Sequence, residues 1–276
     1  MASTSDKRRA FRAMHDSGCF VIPNPWDVGS AKYLAHLGFK ALATTSAGAA
    51  WAMGFADGHT PRDRMLAHIA EIVEATDLPV NADYEGAHAD APEDVAEGVR
   101  LCVETGVAGL SVEDYTNDPA VPLYDIALAT ARVRAARQAI DRAGGDVLLV
   151  GRAEGLIRNR PDFDDILRRL RAYSAAGADC LYAPGLRTRE QIVAVVEAAA
   201  PKPVNVLMGA PSELTVADLA AMGVRRISVG GSLARTAWGA FGRAARLIAE
   251  QGRFDGLADA MPGAELNKLL GPGATR

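Results

Sequence analysis

The chain has 276 residues, 49% hydrophobic and 23% charged, with a formal net charge of −4 and three cysteines. That balance supplies a sizeable core and argues against a nucleic-acid or anionic-membrane partner, since both need a basic face to displace counterions. Cys19, Cys102 and Cys180 are odd in number and far apart, which suggests neither a disulfide framework nor a CxxC metal site. The opening MASTSDKRRAFRAMHDSG has no apolar segment behind its charges, and no run approaches the roughly 18 apolar residues of a membrane span, so cytoplasm is the expected location.

Eight short apolar or β-branched runs follow one another: FVIPN (20–24), ALATTS (41–46), PVNADY (79–84), GLSVED (109–114), VLLVGRAE (147–154), CLYAPG (180–185), PVNVLM (203–208) and RISVGG (226–231). Longer segments with helical spacing lie between them, among them DVGSAKYLAHLG, PRDRMLAHIAEIVEAT, APEDVAEGVRLCVETG and PDFDDILRRLRAYSAAG. Several begin with Asp, Thr or Pro and stop at Gly, as helix caps require, and Gly38, Gly106, Gly177 and Gly223 each precede a strand. Such alternation marks a parallel sheet with crossover helices. Eight units in a chain of this length predict a single (β/α)8 TIM-type barrel over 1–276. The competing open doubly wound sheet has no GxGxxG after its first strand. The tail from 232 to 276 predicts a C-terminal helical extension: one amphipathic helix, SLARTAWGAFGRAARLIAEQG, then two short ones.

In a barrel the active site is built at the C-terminal strand ends. There the sequence puts Thr44-Thr45-Ser46-Ala47-Gly48 on strand two, Asn81 and Asp83 on strand three, Glu113-Asp114 on strand four, Arg152 and Glu154 on strand five, and Asn205 on strand seven. Asp83 and Glu113 converge from adjacent strands, with Asp57 in the loop after strand two as a third acid. Carboxylates gathered this way repel, and hard oxygen ligands suit Mg²⁺ or Mn²⁺. A salt bridge or a helix cap is the plainer role for any single one of them. Arg152 has the fork geometry for a substrate carboxylate or phosphonate, its structural alternative being a partner for Glu113 or Glu154. Ser46 to Gly48 offers small side chains and backbone N–H groups for an anionic oxygen.

These residues resemble the isocitrate lyase/phosphoenolpyruvate mutase superfamily over nearly the whole chain. The matching pieces are NPWDVGSAKYLAHLGFKALATTSAG, ADYEG, GLSVED, GRAE and PKPVNVLMG followed by RRISVGG. The resemblance implies a barrel whose terminal helix is exchanged between subunits, a homodimer or homotetramer, and bound Mg²⁺. It implies that Asp57, Asp83 and Glu113 hold the metal, that Ser46, Ala47 and Gly48 cradle a 2-oxo acid, that Arg152 binds its carboxylate and that Asn205 is a pocket amide. The shared chemistry is making or breaking a bond to C3 of a pyruvate-like unit through an enolate.

Four departures narrow this. After the strand-four acid the chain reads SVEDYTNDPAVPLYD, with none of the Cys, Lys or His of the lyases' Cys-Gly-His segment. Asn117 comes too early for the mutase and phosphonopyruvate hydrolase loop, and Asn81 stands where relatives have the first acid of Asp-x-Asp. Tyr182-Ala183-Pro184 replaces a lyase glutamate. The leading expectation is a Mg²⁺-dependent enzyme cleaving or forming a C–C bond in a small 2-oxo or 2-hydroxy carboxylate. The loop from Tyr115 to Asp125 is its lid, with Tyr115, Asn117, Asp118 or Tyr124 as acid/base. Glu85, His88 and Asp90 are expected only to shape the rim. The alternatives are C–P chemistry of the phosphoenolpyruvate mutase or phosphonopyruvate hydrolase type, and a non-catalytic carboxylate-binding barrel.

Overall fold

A computed structural model describes residues 2–271, so Met1 and the last five residues of the predicted extension lie outside the described residues. All eight runs become strands: β1 (Phe20–Ile22), β2 (Leu42–Ala43), β3 (Val80–Asp83), β4 (Gly109–Glu113), β5 (Leu148–Arg152), β6 (Cys180–Tyr182), β7 (Val204–Leu207) and β8 (Arg226–Ser228). They pair in parallel in the order β1-β8-β7-β6-β5-β4-β3-β2. No ladder joins β1 to β2; the gap is bridged by one backbone bond from Ala43 N–H to the Pro23 carbonyl, 3.0 Å. Asn24 reinforces it, donating to the Thr44 carbonyl at 2.8 Å and accepting the N–H groups of Val229 and Gly230 at 2.9 and 2.8 Å. The predicted (β/α)8 barrel is therefore present, nearly closed.

The helices are α1 (Thr4–Ala13), α2 (Val28–His36), α3 (Ser46–Met53), α4 (Arg62–Glu74), α5 (Pro92–Glu104), α6 (Ile126–Arg142), α7 (Phe163–Ala175), α8 (Arg189–Ala199), α9 (Val216–Ala221), α10 (Ser232–Gln251) and α11 (Gly263–Leu270). Apolar residues three or four apart turn one face of each crossover helix to the sheet. Ile69 and Ile72 of α4, Val95 and Val99 of α5, and Ile166 and Leu170 of α7 are fully buried there. Caps fall where the sequence puts them: Asp27 and Thr188 close capping boxes, Asp125 and Asp162 accept first-turn N–H groups, and the four predicted glycines take positive φ before their strands.

The interior of the barrel is apolar at its N-terminal end, where Phe11 of α1 packs among Ile22, Ala43, Leu148, Val150 and Tyr182. Helix α1 precedes the first strand and lies outside the strand–helix alternation. Its Arg8 and Arg12 fasten it across the barrel bottom, on Asp146 at 3.0 Å and on the carbonyls of Val107, Asp146 and Val147 at 2.9 to 3.1 Å. Gly109 makes room for this plug, since a Cβ there would stand 2.7 Å from both Phe11 and Asn81.

The second unforeseen helix, α3, corrects the reading of residues 46–48. β2 stops at Ala43, and Thr45 caps a helix whose first residue is Ser46. The Gly48 N–H, expected to be free, donates to Thr45 Oγ1 at 3.2 Å. After β8 the predicted tail helix is α10, and α11 returns beside α2. Trp238, Phe241 and Phe254 of this extension are 47%, 62% and 67% exposed. Among the described residues no helix is long and apolar enough to cross a membrane.

Candidate active site

Parallel register brings the acidic strand ends level. Asp83 pairs with Ser111, and Glu113 with Arg152, so the side chains of β3, β4 and β5 meet at one side of the barrel mouth. Arg152 is their hub. Its Nη1 lies 3.0 Å from Asp83 Oδ1 and 3.2 Å from Glu113 Oε2, and its Nε donates to Glu154 Oε1. Glu154, fully buried, also accepts from Arg158 Nε at 3.1 Å. Asp83 Oδ2 in turn accepts both the backbone N–H and the hydroxyl of Ser46 at 2.9 Å, while the Asp83 N–H donates to Thr44 Oγ1. The first turn of α3 is thereby bound to the acid cluster.

The cluster holds more negative than positive charge. Asp57, Asp83, Glu85, Glu113 and Glu154 face two guanidiniums, Arg152 and Arg158. Burial pushes the Glu113 carboxyl well above its ordinary range; Arg152 opposes the shift, and Glu154, Asp83 and Glu85 add to it. Asp57 keeps contact with solvent at the rim, yet the protein crowding its carboxyl and the charge of Asp83 move its pKa upward. Glu85 is pushed up to about 7, first by burial and then by Asp83 and Asp57.

Glu85 corrects an expectation. It is 6% exposed, its Oε1 has no hydrogen-bond partner among the described residues, and it lines the inner mouth with Ser46, Asp57, His59, Glu113 and Tyr115. Its backbone is left-handed, φ 51°, as are those of Ala87 and His88, so the chain after β3 doubles back on itself. Arg132 of α6 holds that turn by donating to the carbonyls of Gly86, Ala89 and Asp90 at 2.5 to 2.8 Å. A Cβ at position 86 would meet the guanidinium at 2.8 Å. The helical pattern of α6 gave no sign that this arginine is fully buried.

Asp114, next to Glu113 in the chain, faces away from the mouth. It accepts from Tyr173 at 2.6 Å, Arg169 at 3.1 Å and the Glu154 N–H at 2.8 Å, so it anchors the strand end. Of the lid groups, Tyr115 and Asn117 line the mouth, and Arg158 stacks 3.5 Å from the Tyr115 ring centre. Tyr124 donates to Asp90, and Asp118 accepts the Ala120 N–H, so both turn elsewhere.

Below the cluster is a cavity of about 140 Å³ whose lining includes Ser46, Ala47, Asp83, Arg152, Asn205 and Arg226. It suits a carboxylate of a few carbons and is well short of the roughly 300–1,000 Å³ of pockets for drug-sized ligands. Asn205 sits at its base, donating to Ser228 Oγ and accepting from Arg226 Nε, both at 2.9 Å. Gly48 lies behind the wall, packed on Trp26 and Ala234.

Residues 11–249 match the protein family described as phosphoenolpyruvate phosphomutase. The chain belongs to that family. Members similar to it over most of their length include a protein of Mycobacterium tuberculosis, 32% identical over 264 residues covering 95% of this chain and 96% of that one. An oxaloacetate decarboxylase of Paraburkholderia xenovorans is 27% identical over 242 residues, 82% of this chain and 76% of that one. Among solved structures, one from Burkholderia cenocepacia described as a candidate lyase/mutase superposes with a TM-score of 0.95 at 45% identity, covering 99% of both chains. The structure of 2,3-dimethylmalate lyase, a phosphoenolpyruvate mutase/isocitrate lyase superfamily member, gives 0.84 at 29% identity, covering 98% and 95%.

As a metal site the mouth is incomplete as it stands: among the described residues no three His, Cys, Asp or Glu side chains are grouped to hold an ion. Its donor chemistry nevertheless fits a hard divalent cation. The ligating atoms on offer are carboxylate oxygens in excess of the cations present, and Glu85 Oε1 is a buried acceptor without a donor.

Proposed function

We propose that the protein is a divalent-metal-dependent lyase that makes or breaks a C–C bond in a small 2-oxo or 2-hydroxy carboxylate through a pyruvate-enolate-like intermediate. One observation carries this reading: a phosphoenolpyruvate phosphomutase-family barrel whose surplus of acids at the ends of β3 and β4 adjoins a cavity sized for a small carboxylate. Relatives named for oxaloacetate decarboxylation and dimethylmalate cleavage support the C–C choice.

Asp57, Asp83 and Glu113 would hold the cation, Mg²⁺ or Mn²⁺, which when bound supplies positive charge opposite a developing enolate oxygen. Ser46 and Ala47 form the cavity wall beside the reacting carbons, and Arg152 keeps the acids in place. Asn205 fixes the cavity base through Ser228 and Arg226. Glu85, near neutrality in its pKa, can hold a proton at the inner mouth, and Tyr115 and Asn117 cover it from the lid.

A second reading, C–P chemistry on a phosphonopyruvate-like substrate, is favoured by the likeness to phosphonopyruvate hydrolase with oxalate and Mg²⁺, TM-score 0.84 at 25% identity. A panel of small 2-oxo and 2-hydroxy acids, assayed with Mg²⁺ or Mn²⁺, separates the two. The expected product is a pyruvate- or glyoxylate-type carbonyl compound. Phosphate release from phosphonopyruvate would replace that reading, and no turnover of any member would leave a carboxylate-binding barrel.

The same proposal includes a homo-oligomer, because α10 and the residues after it leave large apolar side chains in water. It also includes a cytoplasmic location, which the three free cysteines support.

A further inference from the structure

Arg132 of α6 is 1% exposed, and the lid runs directly into the helix that carries it, because Asp125 caps α6. Its hydrogen bonds all run to the turn after β3: Nη1 donates to the carbonyls of Ala89 and Asp90 at 2.5 and 2.6 Å, and Nη2 to that of Gly86 at 2.8 Å. Among the described residues no carboxylate forms an ion pair with it. A guanidinium keeps its proton at ordinary pH, so a full charge is buried on peptide dipoles. Its remaining neighbour is Tyr124, whose ring centre lies 4.1 Å from the guanidinium carbon and whose hydroxyl donates to the Asp90 side chain. Tyr124 closes the root of the lid. Its N–H donates to the Asp114 carbonyl at 3.1 Å, and Tyr115 and Leu123 pair beside it as an antiparallel bridge. One side chain therefore touches both the lid root and the turn after β3.

That turn presents Glu85 to the inner mouth. The Glu85 carbonyl accepts the Glu113 N–H at 3.1 Å, and α5 comes so near on the other side that a Cβ at Gly98 would stand 2.5 Å from the Ala87 carbonyl. Glu85, Ala87 and His88 all have left-handed φ, a conformation that residues other than glycine keep only where their surroundings over-determine it. We propose that Arg132 is a positioning residue for the mouth, tying the lid root to the Glu85 turn so that the two are held or released together. The inference rests on the proposed function, in which Glu85 belongs to the reacting mouth, and adds what keeps it there. Without the fork the left-handed residues relax and Glu85 leaves its place. Lysine is a poor substitute, because one ammonium cannot reproduce the planar fork that reaches three carbonyls.

The first test is amide hydrogen exchange on the full chain, with circular dichroism and the melting midpoint establishing that each variant is folded. Y124L alters the lid root alone, yet it is expected to speed exchange in residues 84–90 by about tenfold; R132K should do so there and in residues 122–126. Exchange at 84–90 that stays as in the wild type in Y124L overturns the inference and leaves the proposed function standing. The second test is turnover of the acid that the wild type uses. R132K should lower kcat by about 10–100-fold, the scale of a small misplacement, with KM little changed. In an E85Q background it should add almost nothing, because the group it positions is already gone. Losses that multiply, or a change confined to KM, overturn the inference. Wild-type protein that turns over none of the small acids overturns the proposed function itself, and hydrogen exchange still decides whether the lid root and the turn are linked.

Discussion

The mouth and the floor of this barrel handle charge in opposite ways. At the mouth, five acids crowd two arginines; at the floor, Arg226 lies among amides and hydroxyls with no acid paired to it among the described residues. Only a few residues of strand separate the two. A surplus of carboxylates suits a cation, whereas a guanidinium among neutral groups suits an anion, so the sign of the charge reverses along the barrel axis.

The strongest way to break the contrast is at Asp83, which joins Ser46 of α3 to Arg152 of β5. D83A should lower turnover by on the order of 10²–10³-fold and weaken Mg²⁺ in a titration; intact turnover and metal affinity would place the site elsewhere. Next comes R152Q, which strips the shared cation from Glu113 and Glu154. Breaking a buried pair in this way costs about 3–5 kcal/mol, read as a lower urea midpoint that partly recovers in acid as the freed carboxyls protonate.

Glu85 sharpens the comparison through pH. Its folded-state pKa is raised from 4.5 to about 7, so the folded protein retains a proton that the unfolded chain has released. That stabilising contribution is complete below pH 4.5 and is lost as pH rises through 7. E85Q should therefore remove a pH-dependent fall of up to about 3 kcal/mol, measured by urea unfolding in chelator between those values; an unaltered pH profile would count against the buried acid. The smallest effect is expected from T45A, which uncaps α3 and should cost about 1 kcal/mol, with a modest rise in KM because Ser46 starts the same helix.

Much of this was legible in the chain. Eight apolar runs, glycine stops and polar strand ends place Asp83, Glu113 and Arg152 together, because barrel geometry puts C-terminal strand ends at one face. The place of Arg226 in the cavity is not legible in the chain, since it begins its strand and only three-dimensional reach carries its guanidinium to Asn81. The burial of Glu85 is not legible in the chain, because alternation along a strand says nothing once φ turns positive. Arg132 looked like one more charge on a helix, though the carbonyls it binds lie more than forty positions away. Helix α3 was hidden by the apolar run before it, which reads as continuing strand until Thr45 is seen to cap.

The groove beside the extension has an optical consequence. Trp51 of α3 and Trp238 of α10 share it with Phe55 and Arg235, and Trp51 also packs against Gly231 just after β8. Two of the protein's three indoles thus report from one solvent-facing seam. If the proposed homo-oligomer covers that seam, intrinsic emission is expected to shift to the blue as concentration rises, and helix α3 connects the same chromophore to the wall of the candidate site's cavity.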